Sequence, residues 1–324
     1  MLRTVLLLVF ISGLNSATAQ ESLKVAFLNS DRFFDTVNDK GEADDPYIDG
    51  GSLGWNKQLY DQRVEEVADI ISGIYNKDLP SIIALAGIEN NNVGKDIFGS
   101  KVLRKGEYNI VSSSYSQVSG VLLALNKNMF KMLEQKTIIP GMDPSIADVS
   151  TMLYTRLEMT GGKIIHVFVN DWPARTAGSD NRTRMLCAAT LRKEIDRILN
   201  FEPKAMIIVM GCFNDEPTSG NIMTILNATN KRKNLTERDL YNPFYDSHNI
   251  EGAGTTMVNG LWQMYDYIII SRSLIKGEGS KADEFPRGGI GVSPETLGPV
   301  YEGSIYKGGS GSHLPVYLDL KFDD

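Results

Sequence analysis

Short apolar runs recur along the chain, and they constrain its fold more than any other feature of the sequence. They lie at residues 23–28, 82–85, 121–125, 164–169, 205–210, 267–270 and 315–320. Runs of this length, bounded by turn-forming residues, predict buried β-strands. The alternating segment 152–158 precedes one such run across Gly161 and Gly162, which predicts a hairpin. Residues 35–51 are rich in Asp, Asn and Gly and predict a loop.

Two segments carry helical spacing instead. Residues 60–75 place Val64, Val67 and Ile71 at helical intervals, and residues 184–199 repeat the pattern. Strands outnumber helices and the two types are mixed along the chain, which favours two packed sheets flanked by helices. No internal repeat or linker divides the 324 residues, so we expect a single domain over residues 20–324.

The N-terminus has the pattern of a targeting segment. Arg3 precedes an apolar run at residues 5–11, and Ala17-Thr18-Ala19 follows. A basic start, a short apolar core and an Ala-x-Ala end predict a signal peptide over residues 1–19. The run is far shorter than the roughly 20 apolar residues that span a bilayer. We therefore expect a secreted or periplasmic protein that does not span a membrane.

Charge and residue counts exclude several classes of function. The formal net charge of −7 argues against broad nucleic-acid binding, which usually requires a basic domain. The three histidines, His166, His248 and His313, limit any site that needs several imidazoles. Cys187 and Cys212 could form one disulfide in an exported protein. We prefer two separate buried thiols, because a helix and a strand rarely bring such residues within bonding distance.

Six motifs follow one another along the mature chain. They read Val-Ala-Phe-Leu-Asn-Ser-Asp-Arg-Phe-Phe-Asp (25–35), Pro-Ser-Ile-Ile-Ala-Leu-Ala-Gly-Ile-Glu-Asn (80–90), Phe-Val-Asn-Asp-Trp-Pro-Ala-Arg (168–175), Ile-Ile-Val-Met-Gly-Cys-Phe-Asn-Asp-Glu-Pro (207–217), Trp-Gln-Met-Tyr-Asp-Tyr-Ile-Ile-Ile-Ser (262–271) and Ser-His-Leu-Pro-Val (312–316). In this order the chain resembles the endonuclease/exonuclease/phosphatase family, the DNase-I-like metal-dependent phosphodiesterases and phosphatases. Each motif alone is weak, whereas six in family order are specific.

The resemblance implies an α/β fold, a four-layer α/β sandwich of two mixed β-sheets flanked by helices, with the active site at one sheet edge. It also implies phosphoester hydrolysis, in which a divalent cation neutralises oxygen charge and a base activates water. The family's catalytic positions are retained at Asn214, Asp266 and His313. Arg175 and Asn29 stand at positions that the resemblance assigns to substrate binding.

Four other family positions are replaced. Gly87 stands where the family has its metal-binding Glu, and Ser312 stands where it has the Asp of Ser-Asp-His. Asp171 replaces a catalytic His, and Cys212 replaces the Asp of Gly-Asp-Phe-Asn. Glu89 lies two residues beyond Gly87 and is a possible substitute ligand, although we interpret it as structural.

These losses predict a degenerate active site, because Mg²⁺ prefers several carboxylate oxygens. We therefore expect no cofactor and a non-catalytic protein that binds an unknown protein or a phosphate-bearing ligand. One alternative is a phosphoesterase or nuclease with a rearranged site, using Mg²⁺ or Mn²⁺ at Glu89, Asp171 and Asp266. Another is a module that binds phosphorylated small molecules through Arg175, Asn214 and His313.

Overall fold

The computed structural model describes residues 22–39, 44–76, 78–113, 120–141, 151–175, 181–231, 233–275, 288–291, 297–309 and 311–321. The predicted signal segment, residues 1–19, lies outside the described residues. No helix in the described part of the chain is long and apolar enough to cross a membrane.

The strands and helices of these residues follow in chain order. The strands are β1 (Ser22–Phe33), β2 (Ile82–Ile88), β3 (Tyr108–Ser112), β4 (Gly120–Asn126), β5 (Phe130–Ile138), β6 (Met152–Met159), β7 (Ile164–Asp171), β8 (Met206–Cys212), β9 (Ala228–Thr229), β10 (Leu240–Tyr241), β11 (Thr256–Val258), β12 (Leu261–Gln263), β13 (Asp266–Ser271), β14 (Gly289–Ile290), β15 (Tyr301–Glu302), β16 (Ile305–Tyr306) and β17 (Val316–Lys321). The α-helices are α1 (Lys57–Gly73), α2 (Asn91–Gly99), α3 (Asn181–Phe201) and α4 (Tyr245–Asn249). Short 3₁₀ helices cover Asp45–Tyr47, Arg104–Gly106 and Arg272–Leu274, and a π-helical turn covers Asn221–Ile225.

Two large mixed sheets form the centre of the fold. One has six strands in the order β14-β17-β1-β2-β4-β3, and the other has seven in the order β5-β6-β7-β8-β13-β10-β9. The pairs β1–β2 and β7–β8 are parallel, whereas β13 runs antiparallel to β8. The predicted hairpin is confirmed as the antiparallel pair β6–β7.

Side chains on alternate faces of the strands pack into two different apolar layers. In β2, Ile82 and Ala84 belong to the larger apolar cluster, whereas Ile83 and Leu85 belong to a second cluster with residues of α1 and α2. Successive strand side chains point to opposite faces, so β2 is covered on both sides. Helix α3 connects the parallel strands β7 and β8 and buries one face in the larger cluster. The predicted four-layer sandwich is therefore confirmed.

Local side chains set some boundaries that the patterns missed. Helix α1 begins at Lys57 because the Asn56 side chain accepts hydrogen bonds from the amides of Gln58 and Leu59. Strand β1 continues beyond residue 28 to Phe33 through an irregularity in its pairing with β2. That irregularity lies beside the predicted site.

Candidate active site

Three predicted site residues form a row across neighbouring strands. Cys212 ends β8, where it pairs with Asp171 of β7 on one side and with Asp266 of β13 on the other. Paired residues of adjacent strands direct their side chains to the same face. Because all three positions lie at strand ends, their side chains meet at one edge of the seven-stranded sheet.

The other sheet contributes Asn29 from β1 and Gly87 from β2. Gly87 has a φ of +72°, and a β-carbon built on it would lie 3.2 Å from Asn29 Oδ1 and 2.8 Å from the Arg32 backbone nitrogen. The position therefore faces Asn29, but the neighbouring backbone fills the space that a side chain would need. No room remains there for the glutamate that the resemblance assigns to this position.

The backbone that fills this space is a bulge in β1. The register with β2 shifts between Asn29 and Phe33, and Asp31 and Arg32 adopt φ angles of 57° and 58°. The Asn29 side-chain oxygen accepts a hydrogen bond of 3.1 Å from the Asp31 amide. A hydrogen bond to Asn29, one of the residues predicted to contact substrate, thus stabilises the bulge.

Asp31 is a site residue that the sequence motifs did not single out. Its carboxylate accepts hydrogen bonds from both the backbone amide and the hydroxyl of Ser312. The resemblance assigns an acid to the position of Ser312, and in this chain a carboxylate from β1 lies against the same loop. The only sequence signal was a charged pair, Asp31-Arg32, that directly follows a buried strand.

His313 is held by a buried carboxylate. Its Nδ1 lies 2.6 Å from Asp266 Oδ2, and the same oxygen accepts a 2.7 Å hydrogen bond from the Thr255 hydroxyl. Burial alone would lower the pKa of His313, but the charge of Asp266 and its hydrogen bond raise the pKa to about 9. Thr255 lies outside the six motifs and was missed by the sequence analysis.

The acids and the thiol in the row affect one another. Burial and the charge of Asp266 raise the pKa of Asp171 to about 7, against the opposing effects of His313 and Arg32. Burial and the two carboxylates also hold the pKa of Cys212 well above its ordinary value. Cys212 is therefore a neutral thiol at physiological pH and a poor nucleophile, because the thiolate is the reactive form.

Asn214 and Arg175 stabilise the adjacent loops. The Asn214 side chain donates a 2.6 Å hydrogen bond to the Trp172 carbonyl. Arg175 Nε donates to the Asn214 carbonyl at 2.7 Å, and its guanidinium pairs with Asp215 at 2.5 Å. Arg175 also lies over the ring of Tyr265, 5.5 Å from its centroid. Arg175 therefore holds the loops at residues 214–215 and 265 together.

Glu89 is oriented toward a neighbouring loop. Its Oε2 accepts a 2.6 Å hydrogen bond from the Asp35 amide, and its own amide donates to the Phe33 carbonyl at 3.1 Å. The side chain therefore fixes the chain segment that follows the bulge. Cys187 and Cys212 are both buried and no disulfide joins them, which agrees with the preferred interpretation of two separate thiols.

Comparisons with solved structures show the same fold. Caenorhabditis elegans TDP2, in truncated form, superposes with a TM-score of 0.59 at 11% identity, covering 93% of this chain and 98% of that one. A mannosyl-6-phosphatase from Bacteroides thetaiotaomicron, Bt3783, gives a TM-score of 0.59 at 13% identity, with 93% and 100% covered. The human Nocturnin catalytic domain gives 0.54 at 16% identity, with 93% and 95% covered.

At these identities the superpositions show the fold alone. No curated protein matches the chain by sequence. The sequence signature described as the endonuclease/exonuclease/phosphatase family matches residues 24–322 of the 324 residues. Together with the two packed mixed sheets, this match shows that the chain belongs to the endonuclease/exonuclease/phosphatase family.

Proposed function

We propose that this chain is an exported family member that has lost metal-dependent phosphoester hydrolysis and acts as a binding or accessory protein. The observation that carries the proposal is the closed space at Gly87. A β-carbon there would meet the Arg32 backbone at 2.8 Å, so the main metal-binding carboxylate is absent and its place is filled by backbone.

The remaining donors do not fit the Mg²⁺ or Mn²⁺ that the family implies. Mg²⁺ demands near-octahedral oxygen coordination. Among the described residues, the donor atoms that lie close together belong to Cys212, Asp266 and His313, which offer one sulfur, one carboxylate and one imidazole. The Asp31 carboxylate is engaged by Ser312. Neither the number nor the type of ligands supports a hard cation.

The groups that would handle protons are also altered. Asp171 stands at a family histidine position, and its pKa of about 7 arises from burial and from Asp266. Cys212 carries a thiol of raised pKa where the family has an acid. Neither position therefore carries the type of residue with which the family activates water.

Charge limits the class of ligand. The net charge of −7 disfavours nucleic acid, whose binding depends on basic surfaces. Arg32 is exposed on the bulge, and its charge acts on Asp171. We propose that a protein or a phosphate-bearing small molecule approaches the site from this side.

The test is hydrolysis of bis-p-nitrophenyl phosphate, p-nitrophenyl phosphate and plasmid DNA with Mg²⁺, Mn²⁺ or Ca²⁺. We expect the parent and Asp266→Ala to show the same background rate, with no metal-dependent turnover by either. Asp69→Ala, which changes an exposed acid on α1, is the matched control. Metal-dependent turnover that Asp266→Ala abolishes and Asp69→Ala preserves would instead support the phosphoesterase with a rearranged site.

Export is a separate part of the proposal. It rests on the pattern of residues 1–19. N-terminal sequencing of the protein recovered from its native host should find a chain that begins at residue 20 or 21. Recovery of an intact N-terminus from the cytoplasm would contradict export and leave the proposal about the site unchanged.

A further inference from the structure

We infer that Cys212, Asp266 and His313 form a binding site for a thiophilic divalent cation of the zinc class. The inference goes beyond the proposed function, because such a cation can bind whether or not the chain hydrolyses phosphoesters. The ligand atoms of the three residues all lie within 4.8 Å of one another. The three residues belong to β8, to β13 and to the loop before β17. Both large sheets therefore contribute to the cluster.

A second observation concerns the carboxylate of Asp266. The residue is fully buried, and its Oδ1 has no hydrogen-bond partner among the described residues. Its other oxygen is occupied by Thr255 and His313. Buried carboxylate oxygens are nearly always paired, because leaving one unpaired costs free energy. A cation at this position would supply the missing partner.

The donor types select the cation. Zn²⁺ accepts cysteine sulfur at about 2.3 Å, histidine nitrogen at about 2.0–2.1 Å and carboxylate oxygen at similar distances. Mg²⁺ and Ca²⁺ bind oxygen and do not favour sulfur. Replacement of an acid by Cys212 therefore changes the preference of the site from hard to thiophilic cations. Three protein ligands leave a fourth position for water or an external ligand.

Binding requires an exchange of protons for the cation. The 2.6 Å contact places a proton between His313 Nδ1 and Asp266 Oδ2, since two acceptors would repel each other. The S–H bond of Cys212 and the N–H bond at Nδ1 of the His313 imidazolium break, and bonds from Sγ, from Nδ1 and from an Asp266 oxygen to the cation form. His313 keeps its proton on Nε2 as a neutral imidazole, and the two released protons pass to solvent. No oxidant or reductant takes part.

Access and support are also present. The His313 side chain retains 13% of its exposure, whereas Asp266 has none, so a cation would enter past the imidazole. Asp31 fixes the adjacent Ser312 from the β1 bulge. The Thr255 hydroxyl orients the carboxylate from behind at 2.7 Å. Such outer contacts tune metal affinity, and losing one typically weakens binding by about 10–100-fold.

The experiment uses the full mature chain after treatment with a chelator. Zn²⁺ is titrated by calorimetry, and Co²⁺ serves as a spectroscopic probe for sulfur ligation. We expect one Zn²⁺ per chain, a sulfur-to-cobalt charge-transfer band and no competition from millimolar Mg²⁺. Cys212→Ser should remove the band and weaken Zn²⁺ binding by at least about 100-fold, since it removes a direct ligand.

Cys187→Ser is the matched control, because Cys187 is equally buried but lies on α3. It should leave both the affinity and the band unchanged. His313→Gln, at a partly exposed position, provides a second ligand variant if Cys212→Ser does not fold. No bound Zn²⁺, a band that persists in Cys212→Ser, or equal losses in Cys187→Ser would each overturn the inference.

Discussion

The backbone nitrogen of Arg32 lies 2.8 Å from the point that a β-carbon on Gly87 would occupy. This contact joins the β1 bulge to the position that the resemblance assigns to the family's metal-binding glutamate. Real β-carbons essentially never approach backbone so closely, so one of the two strands would have to move. The bulge and the glycine therefore depend on each other.

Substitution of Gly87 should destabilise the fold by more than the strain that a side chain causes at a positive φ. Gly87→Ala should lower the free energy of unfolding by about 3 kcal/mol, combining left-handed strain with the clash. Gly260→Ala is the control, because Gly260 has a similar φ of +77° with nothing within 4 Å, and it should cost about 1 kcal/mol. Urea unfolding measures the free energy of unfolding of both variants. Equal losses would contradict a clash between the β1 bulge and a side chain at Gly87.

Restoring the family residues in place should not restore the metal site. Gly87→Glu, Asp171→His, Cys212→Asp and Ser312→Asp rebuild the family set, but Gly87→Glu meets the bulge and Ser312→Asp faces the Asp31 carboxylate. We expect the quadruple variant to be less stable than the parent and to bind no additional Mn²⁺. Calorimetric titration checks this, and tight Mn²⁺ binding by a folded variant would show that the bulge can rearrange.

Millimolar Mg²⁺ should not raise the melting temperature of the parent chain. A ligand that binds only the native state stabilises it by mass action, and the clustered donors include sulfur and imidazole beside one carboxylate. Thermal unfolding with Mg²⁺, Ca²⁺ or EDTA should give coincident curves. An EDTA-reversible increase of the melting temperature with Mg²⁺ would contradict the proposed loss of the hard-cation site.

The hydrogen bonds from Ser312 to Asp31 should hold the His313 loop. Asp31→Ala should reduce the free energy of unfolding by about 2–3 kcal/mol, because two donors lose a charged acceptor. Ser312→Ala should cost about 1 kcal/mol, since its backbone amide still donates. A double-mutant cycle from chemical unfolding measures the coupling, and additive losses would show that the contact contributes little.

Acid should destabilise the protein partly through His166, which lies on β7 away from the site. Burial lowers the pKa of His166 below its ordinary value near 6.5, despite the opposing effect of Glu202. The unfolded chain therefore binds a proton that the folded chain does not, so stability falls as the pH drops below about 6.5, by up to about 1.4 kcal/mol per pH unit. NMR titration of the imidazole should give a depressed pKa, and an elevated one would reverse the predicted slope.

Much of the fold was predictable because many strands are covered on both faces. All seven residues of β2 are buried, and such strands appear in the sequence as continuous apolar runs. Strand β5 was missed because its central residues are exposed and carry no alternation. Helix α2 was missed because it is short and contains Gly94 and Gly99, which have low helix propensity.

The site was predictable only in part. The motifs identified Cys212, Asp266 and His313, and the structure brings the ligand atoms of these three residues together. The contribution of Asp31 was not predictable, because it depends on a register shift in β1 and on a partner 281 residues away. The sequence likewise indicated a missing ligand at Gly87, but only the packing of two strands shows that the space is closed.

The row of Asp171, Cys212 and Asp266 has a consequence for engineering. Ladder pairing fixes the spacing of these positions through backbone hydrogen bonds, whatever side chains they carry. A combinatorial library of Asp, Glu, His and Cys at the three positions would therefore vary the ligands on a constant backbone. Variants from such a library could be screened directly for their preference among cations.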